Sequence, residues 1–186
     1  MRKRIIIVHG WSGSPEDNWL PWLKLELEKF RNDEVLVPSM PDTDNPIVEK
    51  WVKKLREVVS VPDTNTYFVG HSIGCQTILR YLETINQSVG GAVFVAGWFN
   101  LENMEDENEE KIAKPWIETP IDLEKVKSVL PKSTLIISDN DPYGCFEENK
   151  KEFAKIVSRT LVLHDVEHIT DSKYPEILSE TLSLLR

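Results

Sequence analysis

The pentapeptide GHSIG at residues 70–74 places Ser72 between two glycines, where an apolar run gives way to a helical pattern. A turn this tight brings the helix backbone close to the strand, so a Cβ at Gly70 or Gly74 would clash. The apex residue is then held in a strained conformation that raises its hydroxyl, and the N–H of Ile73 points toward a developing oxyanion. We interpret Ser72 as a nucleophile; a serine N-cap with incidental glycines is the alternative.

A nucleophilic serine needs a base, and the base needs an orienting acid. Two polar turns, each at the predicted end of a strand, supply the candidates: Asp139 and Asp141 in the first turn, and His164 and His168 in the second. The carboxyl ends of strands are where open α/β sheets place their sites, and the chain order Ser, Asp, His is that of hydrolases with a G-x-S-x-G turn. Each aspartate alone is also compatible with an Asx-turn, and each histidine alone with a surface position.

The elements that would position these residues alternate along the chain. Short, mostly apolar runs typical of strands covered on both faces occur at Ile5–Val8, Val35–Val37, Tyr67–Val69, Ala92–Val95, Leu135–Ile137 and Leu161–Leu163. Between them, apolar residues recur at spacings of three and four, and Trp19, Trp22 and Trp51 at such positions are core candidates. This alternation predicts one α/β domain over residues 1–186, with a mostly parallel sheet of about six strands and helices on both faces.

Residues 97–122 lack this regular periodicity and include the acidic run 105–110. A long irregular segment in a compact domain is commonly a functional cap or lid, although a solvated surface loop is the alternative. Its aromatic residues, Trp98, Phe99 and Trp116, are candidates for an apolar acyl pocket or for packing under the loop. If the segment is a cap, we expect these rings to face the substrate and the acidic run to face water, which favours neutral or cationic acyl substrates.

Composition limits the class of protein. With 186 residues, 40% of them hydrophobic and 28% charged, the chain is expected to be a globular protein with a sizeable core. Its net charge of −9 argues against nucleic acid and anionic membranes as partners, and no apolar run reaches the ~18 residues of a membrane span. We interpret the opening MRKRIIIVHG as a first strand and not a signal peptide. Cys75 and Cys145 form neither a disulfide framework nor a metal motif, so we expect a cytoplasmic protein without metal or cofactor.

These motifs together resemble the small single-domain serine hydrolases of the α/β-hydrolase superfamily, the RBBP9/YdeN-like group. The resemblance covers essentially the whole chain and is carried by IIVHGW at 6–11, NWLPWL at 18–23, GHSIGCQTILR at 70–80, Asp-Pro at 141–142 and the final histidine. It implies Ser72 as nucleophile, Asp141 as orienting acid and His168 as base, with an oxyanion hole from the backbone N–H groups of Trp11 and Ile73.

One departure from the group concerns the base, because members often have Gly-His-Phe where this chain has Glu167-His168-Ile169. His164 remains the alternative base. His71, beside the nucleophile, is expected to pack near the site or to contact substrate, and His9 to hold loop structure. The expected activity is hydrolysis of small esters, thioesters or amides through an acyl-enzyme. The alternatives are acyl transfer and a non-catalytic protein-binding module on the same fold.

Overall fold

A computed structural model describes residues 2–30, 33–104 and 106–186, and these residues form six strands and seven helices. The strands are β1 (Arg4–Val8), β2 (Glu34–Leu36), β3 (Thr66–His71), β4 (Gly91–Val95), β5 (Ser133–Ser138) and β6 (Arg159–Leu163). The helices are α1 (Leu20–Phe30), α2 (Val48–Val59), α3 (Ile73–Leu82), α4 (Glu107–Glu118), α5 (Leu123–Val129), α6 (Phe146–Phe153) and α7 (Pro175–Leu184). None of the helices in this part of the chain is long and apolar enough to cross a membrane.

The strands pair in the order β2-β1-β3-β4-β5-β6, and every pair is parallel. The predicted α/β architecture is therefore confirmed. The register aligns Val8 with Gly70, and His71 with Val95. Because parallel strands share their direction, the polar turns that follow them meet at one edge of the sheet.

Two layers of helices cover the sheet because strand residues point alternately to its two faces. Ile6 and Val8 face the core beneath α2, α3, α4, α5 and α6. Ile5 and Ile7 face the core beneath α1 and α7. All four side chains have no exposed area, which explains why the strand is apolar at consecutive positions.

The acidic part of the 97–122 segment is the beginning of a helix, which corrects the expectation of an irregular segment. Asp106 caps α4 by accepting hydrogen bonds from the N–H groups of Asn108 and Glu109 at 2.8 and 2.9 Å. Three glutamates in the first turn suit the positive end of the helix dipole. The prediction failed because the apolar positions of α4 are few and Pro115 lies inside it. Glu105, the first residue of the predicted acidic run, lies outside the described residues.

Candidate active site

The turn between β3 and α3 has the geometry expected of a nucleophile. Ser72 has a φ of 53°, in a region that side-chain-bearing residues rarely adopt. A Cβ on Gly70 would lie 2.8 Å from the backbone N of Cys75. A Cβ on Gly74 would lie 2.4 Å from the carbonyl O of Val8. The predicted close approach of helix to strand is confirmed, and it requires both glycines.

The backbone N–H groups of Trp11 and Ile73 are the ones predicted to form an oxyanion hole. Ile73 is the first residue of α3, so its N–H has no acceptor within the helix. The loop after β1 approaches closely, since a Cβ on Gly10 would lie 3.5 Å from the Cβ of Ser72. Within the described residues, the N–H groups of Ile73 and Trp11 have no hydrogen-bond acceptor. An N–H without an acceptor in the protein is what an oxyanion hole requires, so this prediction stays open.

The histidine and aspartate implied by the family resemblance are paired. His168 Nδ1 lies 2.6 Å from Asp141 Oδ2, and the other carboxylate oxygen accepts the N–H of Tyr143 at 3.1 Å. The side chains of His168 and Asp141 are only 14% and 11% exposed. With Nδ1–H held by the carboxylate, Nε2 is the nitrogen left to accept a proton.

The alternative pair is also formed, but it lies at the surface. His164 Nδ1 is 2.5 Å from Asp139 Oδ2, and this hydrogen bond holds the pKa of Asp139 below its usual value. The His164 side chain is 74% exposed, and neither residue lines the cavity that contains the nucleophile. The geometry thus favours Asp141 and His168 as the acid and base.

The base loop explains the departure from glycine at position 167. Three of its residues, Asp165, Glu167 and Ile169, have φ values of 57°, 50° and 55°. Glycine adopts this left-handed region most easily, which is a physical reason for a glycine before the base. Here the N–H of Glu167 donates to Asn140 Oδ1 at 2.9 Å, and this bond holds the loop in the same region without glycine.

A cavity of about 350 Å³ opens between these turns. Its walls come from the β1 loop, the three turns of the candidate triad and the 97–122 segment: His9, Gly10, Trp11, Ser12, Gly13, Asp17, Asn18, His71, Ser72, Trp98, Leu101, Met104, Glu109, Tyr143, His168 and Thr170. The 97–122 segment is tied to the acid turn, since the N–H of Glu102 donates to the carbonyl of Tyr143 at 2.6 Å.

Of the three aromatic pocket candidates, only Trp98 lines this cavity. Trp116 is 1% exposed and packs edge-on against Trp51, with 6.0 Å between ring centroids. Phe99 packs on Phe153 at 4.9 Å. The structure corrects the pocket assignment of both residues, because Trp116 is buried in the core and Phe99, partly buried, packs against that core.

His71 and His9 are buried histidines beside the nucleophile that are held neutral. His71 Nε2–H donates to the backbone carbonyl of His168 at 3.1 Å, and burial lowers the pKa of His71 to about 3. His9 Nδ1–H donates to the carbonyl of Gly10, and its Nε2 accepts the N–H of Met40 at 3.1 Å. Burial also lowers the pKa of His9. Both histidines position loops of the site, as expected for His9.

The buried state of His71 predicts acid sensitivity of the fold. Its pKa falls from 6.5 to about 3 on folding, so the unfolded chain binds a proton more readily across that window. The contribution of His71 to the free energy of unfolding is therefore fully present above about pH 6.5. It is lost as the pH falls toward 3, by about 1.4 kcal/mol per pH unit at most. We expect His71→Asn to flatten the dependence of the unfolding free energy on pH, measured by urea denaturation. His164→Asn, which removes an exposed histidine, is the control; equal slopes in wild type and His71→Asn would contradict the prediction.

The two thiols are not arranged as nucleophiles or ligands. Cys75 is fully buried on α3, and burial raises its pKa. Burial, together with Glu102, raises the pKa of Cys145 to about 11. Among the described residues, no group of three or more His, Cys, Asp or Glu side chains is placed to hold a metal ion.

The parallel sheet, with a glycine-flanked serine on a tight turn after β3, has the architecture of an α/β-hydrolase fold. The family model described as "Serine hydrolase" matches residues 5–182, and the chain therefore belongs to the serine hydrolase family. This membership confirms the predicted class of enzyme and the resemblance to the RBBP9/YdeN-like group.

Two relatives by sequence carry the names of that group. The "Putative hydrolase YdeN" of Bacillus subtilis (strain 168) is 35% identical over 102 residues, 53% of this chain and 52% of that protein, so this match spans about half of each. The "Serine hydrolase RBBP9" of Rattus norvegicus is 24% identical over 180 residues, covering 97% of this chain and 89% of that protein.

Solved structures show the same fold. The ydeN gene product of B. subtilis superposes with a TM-score of 0.89 at 24% identity, covering 98% of both chains. Est1E from Butyrivibrio proteoclasticus superposes with a TM-score of 0.75 at 13% identity, covering 99% of this chain and 88% of that one.

Proposed function

We propose that this protein hydrolyses small esters, thioesters or amides through an acyl-enzyme on Ser72. His168 is the general base and Asp141 the acid that orients it. The observation that carries the proposal is that Ser72, on its glycine-flanked turn, and His168, held by Asp141 at 2.6 Å, line one cavity. A serine and an oriented histidine around an enclosed space are the parts that acyl transfer needs.

In acylation, Ser72 Oγ attacks the substrate carbonyl carbon while His168 Nε2 takes the hydroxyl proton. The carbonyl oxygen becomes an oxyanion, which the N–H groups of Ile73 and Trp11 stabilise. The bond to the leaving group then breaks, and the leaving group takes the proton from His168. Asp141 keeps Nδ1 protonated throughout and stabilises the imidazolium.

In deacylation, water attacks the same carbon and His168 Nε2 takes its proton. The bond between the acyl carbon and Ser72 Oγ breaks, and Oγ regains the proton from His168. Among the described residues, Ser72 Oγ bonds to Trp98 and the His168 ring to Asp141, and no hydrogen bond joins Ser72 Oγ to His168. Catalytic hydrogen bonds of this kind commonly tighten only when substrate binds.

The proposal is tested by incubating the protein with a fluorophosphonate probe and measuring its intact mass. We expect one adduct per chain, mapped to Ser72 by peptide mass spectrometry, together with turnover of a short-chain aryl ester. A chain without an adduct and without ester turnover would refute the proposal. Product analysis in the presence of an added alcohol or amine distinguishes hydrolysis from acyl transfer, since both use the same acyl-enzyme.

We infer that the 97–122 segment forms a wall of the substrate pocket. It contributes Trp98, Leu101, Met104 and Glu109 to the cavity. Leu101 and Met104 are apolar, whereas Glu109 supplies a carboxylate from the first turn of α4. The helical part of the segment and its link to the acid turn support this role over that of a solvated loop.

The charge of the cavity predicts its substrate preference. Its lining includes the carboxylates of Asp17 and Glu109 and, among the described residues, no lysine or arginine. We expect anionic acyl groups to be disfavoured, and Glu109→Gln to raise kcat/KM for a hemisuccinate aryl ester by about fivefold at low salt. The uncharged butyrate ester of the same phenol is the control substrate, and Glu107→Gln, a charge on the exposed face of α4, is the control variant. An unchanged ratio of hemisuccinate to butyrate turnover would count against the prediction.

A further inference from the structure

Ser72 Oγ has a hydrogen-bond donor that the Ser-Asp-His scheme does not use. The indole Nε1–H of Trp98 donates to it at 3.3 Å, from a ring that lines the cavity and is 2% exposed. A hydroxyl offers one donor and two acceptor lone pairs. Accepting from Trp98 therefore leaves the Ser72 proton for His168 and the second lone pair for attack on the substrate.

Two buried polar side chains fix the backbone on which this indole stands. Gln76 Nε2 donates to the carbonyl of Trp98 at 2.8 Å. Asn149 Oδ1 accepts the N–H groups of Phe99 and Asn100 at 2.8 and 3.0 Å, and its Nδ2 donates to the carbonyl of Asn100. Gln76 and Asn149 are only 1% and 3% exposed, and each amide bonds to this stretch of backbone, although Gln76 Oε1 has no partner among the described residues. The result is an indole with a fixed direction.

Gln76 also connects the backbone of Trp98 to the helix that carries the nucleophile. It lies four residues after Ser72, one turn along α3, so the helix that presents the serine also holds the main chain of Trp98. The donor and the acceptor are thus positioned by one rigid element. This arrangement meets the requirement for a preorganised electrostatic contact, which is that no reorganisation is needed during the reaction.

We propose that Trp98 is a further catalytic residue, whose N–H stabilises Ser72 Oγ as the leaving group in deacylation. The inference rests on the proposed function of Ser72. When the bond between the acyl carbon and Oγ breaks, its electron pair returns to Oγ, which then receives the proton from His168. The indole N–H donates to Oγ while that charge develops and keeps its own proton.

The two half-reactions differ in what they demand of this donor. The oxygen of an acyl-serine ester is a weak acceptor, so the bond from Trp98 strengthens as Oγ leaves, and it accelerates deacylation. In acylation, negative charge develops on the substrate carbonyl oxygen and not on Oγ. A hydrogen bond donated to Oγ then slightly reduces the nucleophilicity of Oγ. We therefore expect Trp98 to affect mainly the rate of deacylation.

Trp98→Phe removes the N–H and keeps an aromatic ring. Pre-steady-state kinetics with a p-nitrophenyl ester, read alongside intact mass, give both rate constants and the amount of acyl-enzyme. We expect deacylation to slow by about tenfold, less than the loss of a full oxyanion-hole donor because the bond is long, and acylation to change by less than about threefold. Trp116→Phe is the matched control, since it removes a buried indole N–H, bonded to the carbonyl of Pro46, that does not line the cavity.

A second variant separates the N–H from the shape of the ring. Benzothienylalanine at position 98 replaces the indole N–H by sulfur with little change in size, and it should slow deacylation as Trp98→Phe does. A normal deacylation rate in this variant overturns the inference, even if Trp98→Phe is slow. If the wild-type protein forms no probe adduct and no acyl-enzyme, the proposed function fails and the inference fails with it. If the wild type forms both and the variants deacylate at its rate, the role of Trp98 alone is wrong.

Discussion

Ser72→Ala is expected to abolish labelling by a fluorophosphonate probe and to lower kcat/KM for an aryl ester by about 10⁴-fold or more. The hydroxyl is the only group of the proposed triad that forms the covalent bond, so neither His168 nor Asp141 can replace it. The measurement is a comparison of probe adduct by intact mass and of ester turnover in wild type and variant.

Folding should be little affected by this change, because alanine and serine meet the same strain at a φ of 53°. The loss of Oγ leaves the buried N–H of Trp98 without its acceptor, which costs about 1 kcal/mol of stability. Ser133→Ala is a suitable control, since it removes a buried serine hydroxyl remote from the cavity. Adduct formation or normal turnover in Ser72→Ala would remove the assignment of the nucleophile.

Asp141→Asn is expected to lower kcat by about 10³- to 10⁴-fold. Asp141 Oδ1 accepts the N–H of Tyr143, so the amide oxygen of asparagine is best placed there and its NH₂ faces His168 Nδ1. An NH₂ donor at Nδ1 forces the imidazole proton onto Nε2. The histidine then has no free nitrogen with which to take the serine proton.

Asp139→Asn is the matched comparison, because it makes the same chemical change in the other histidine–aspartate pair. Its partner His164 is 74% exposed and lies outside the cavity, so we expect turnover to stay within about threefold of wild type. Steady-state kinetics on the two variants decide between the pairs. Equal defects would leave the choice of Asp141 without support, and a larger defect in Asp139→Asn would reverse it.

The strands and the nucleophile turn could be predicted because their signals are local. Consecutive apolar residues in Ile5–Val8 indicate a strand covered on both faces, whatever its neighbours are. The turn at residues 70–74 requires glycine at both Gly70 and Gly74, because the turn brings backbone atoms close to both positions. The helix α4 was missed because its polar first turn and Pro115 hide the local signal, whereas its burial depends on contacts with distant helices.

The sequence by itself determined the α/β class, the serine turn and the two pairs of acid and base candidates, since these depend on residue types at short spacing. Tertiary structure alone decided that His168 lines the cavity with Asp141 hydrogen-bonded behind it, both largely shielded from water, while the His164–Asp139 pair lies outside the cavity with His164 at the surface. It also decided that the indole N–H of Trp98 donates to Ser72 Oγ and that Trp116 is buried in the core. The physical reason is that burial and hydrogen bonding across 26 or 27 residues depend on how strands and helices pack, and no local pattern of residues records that packing.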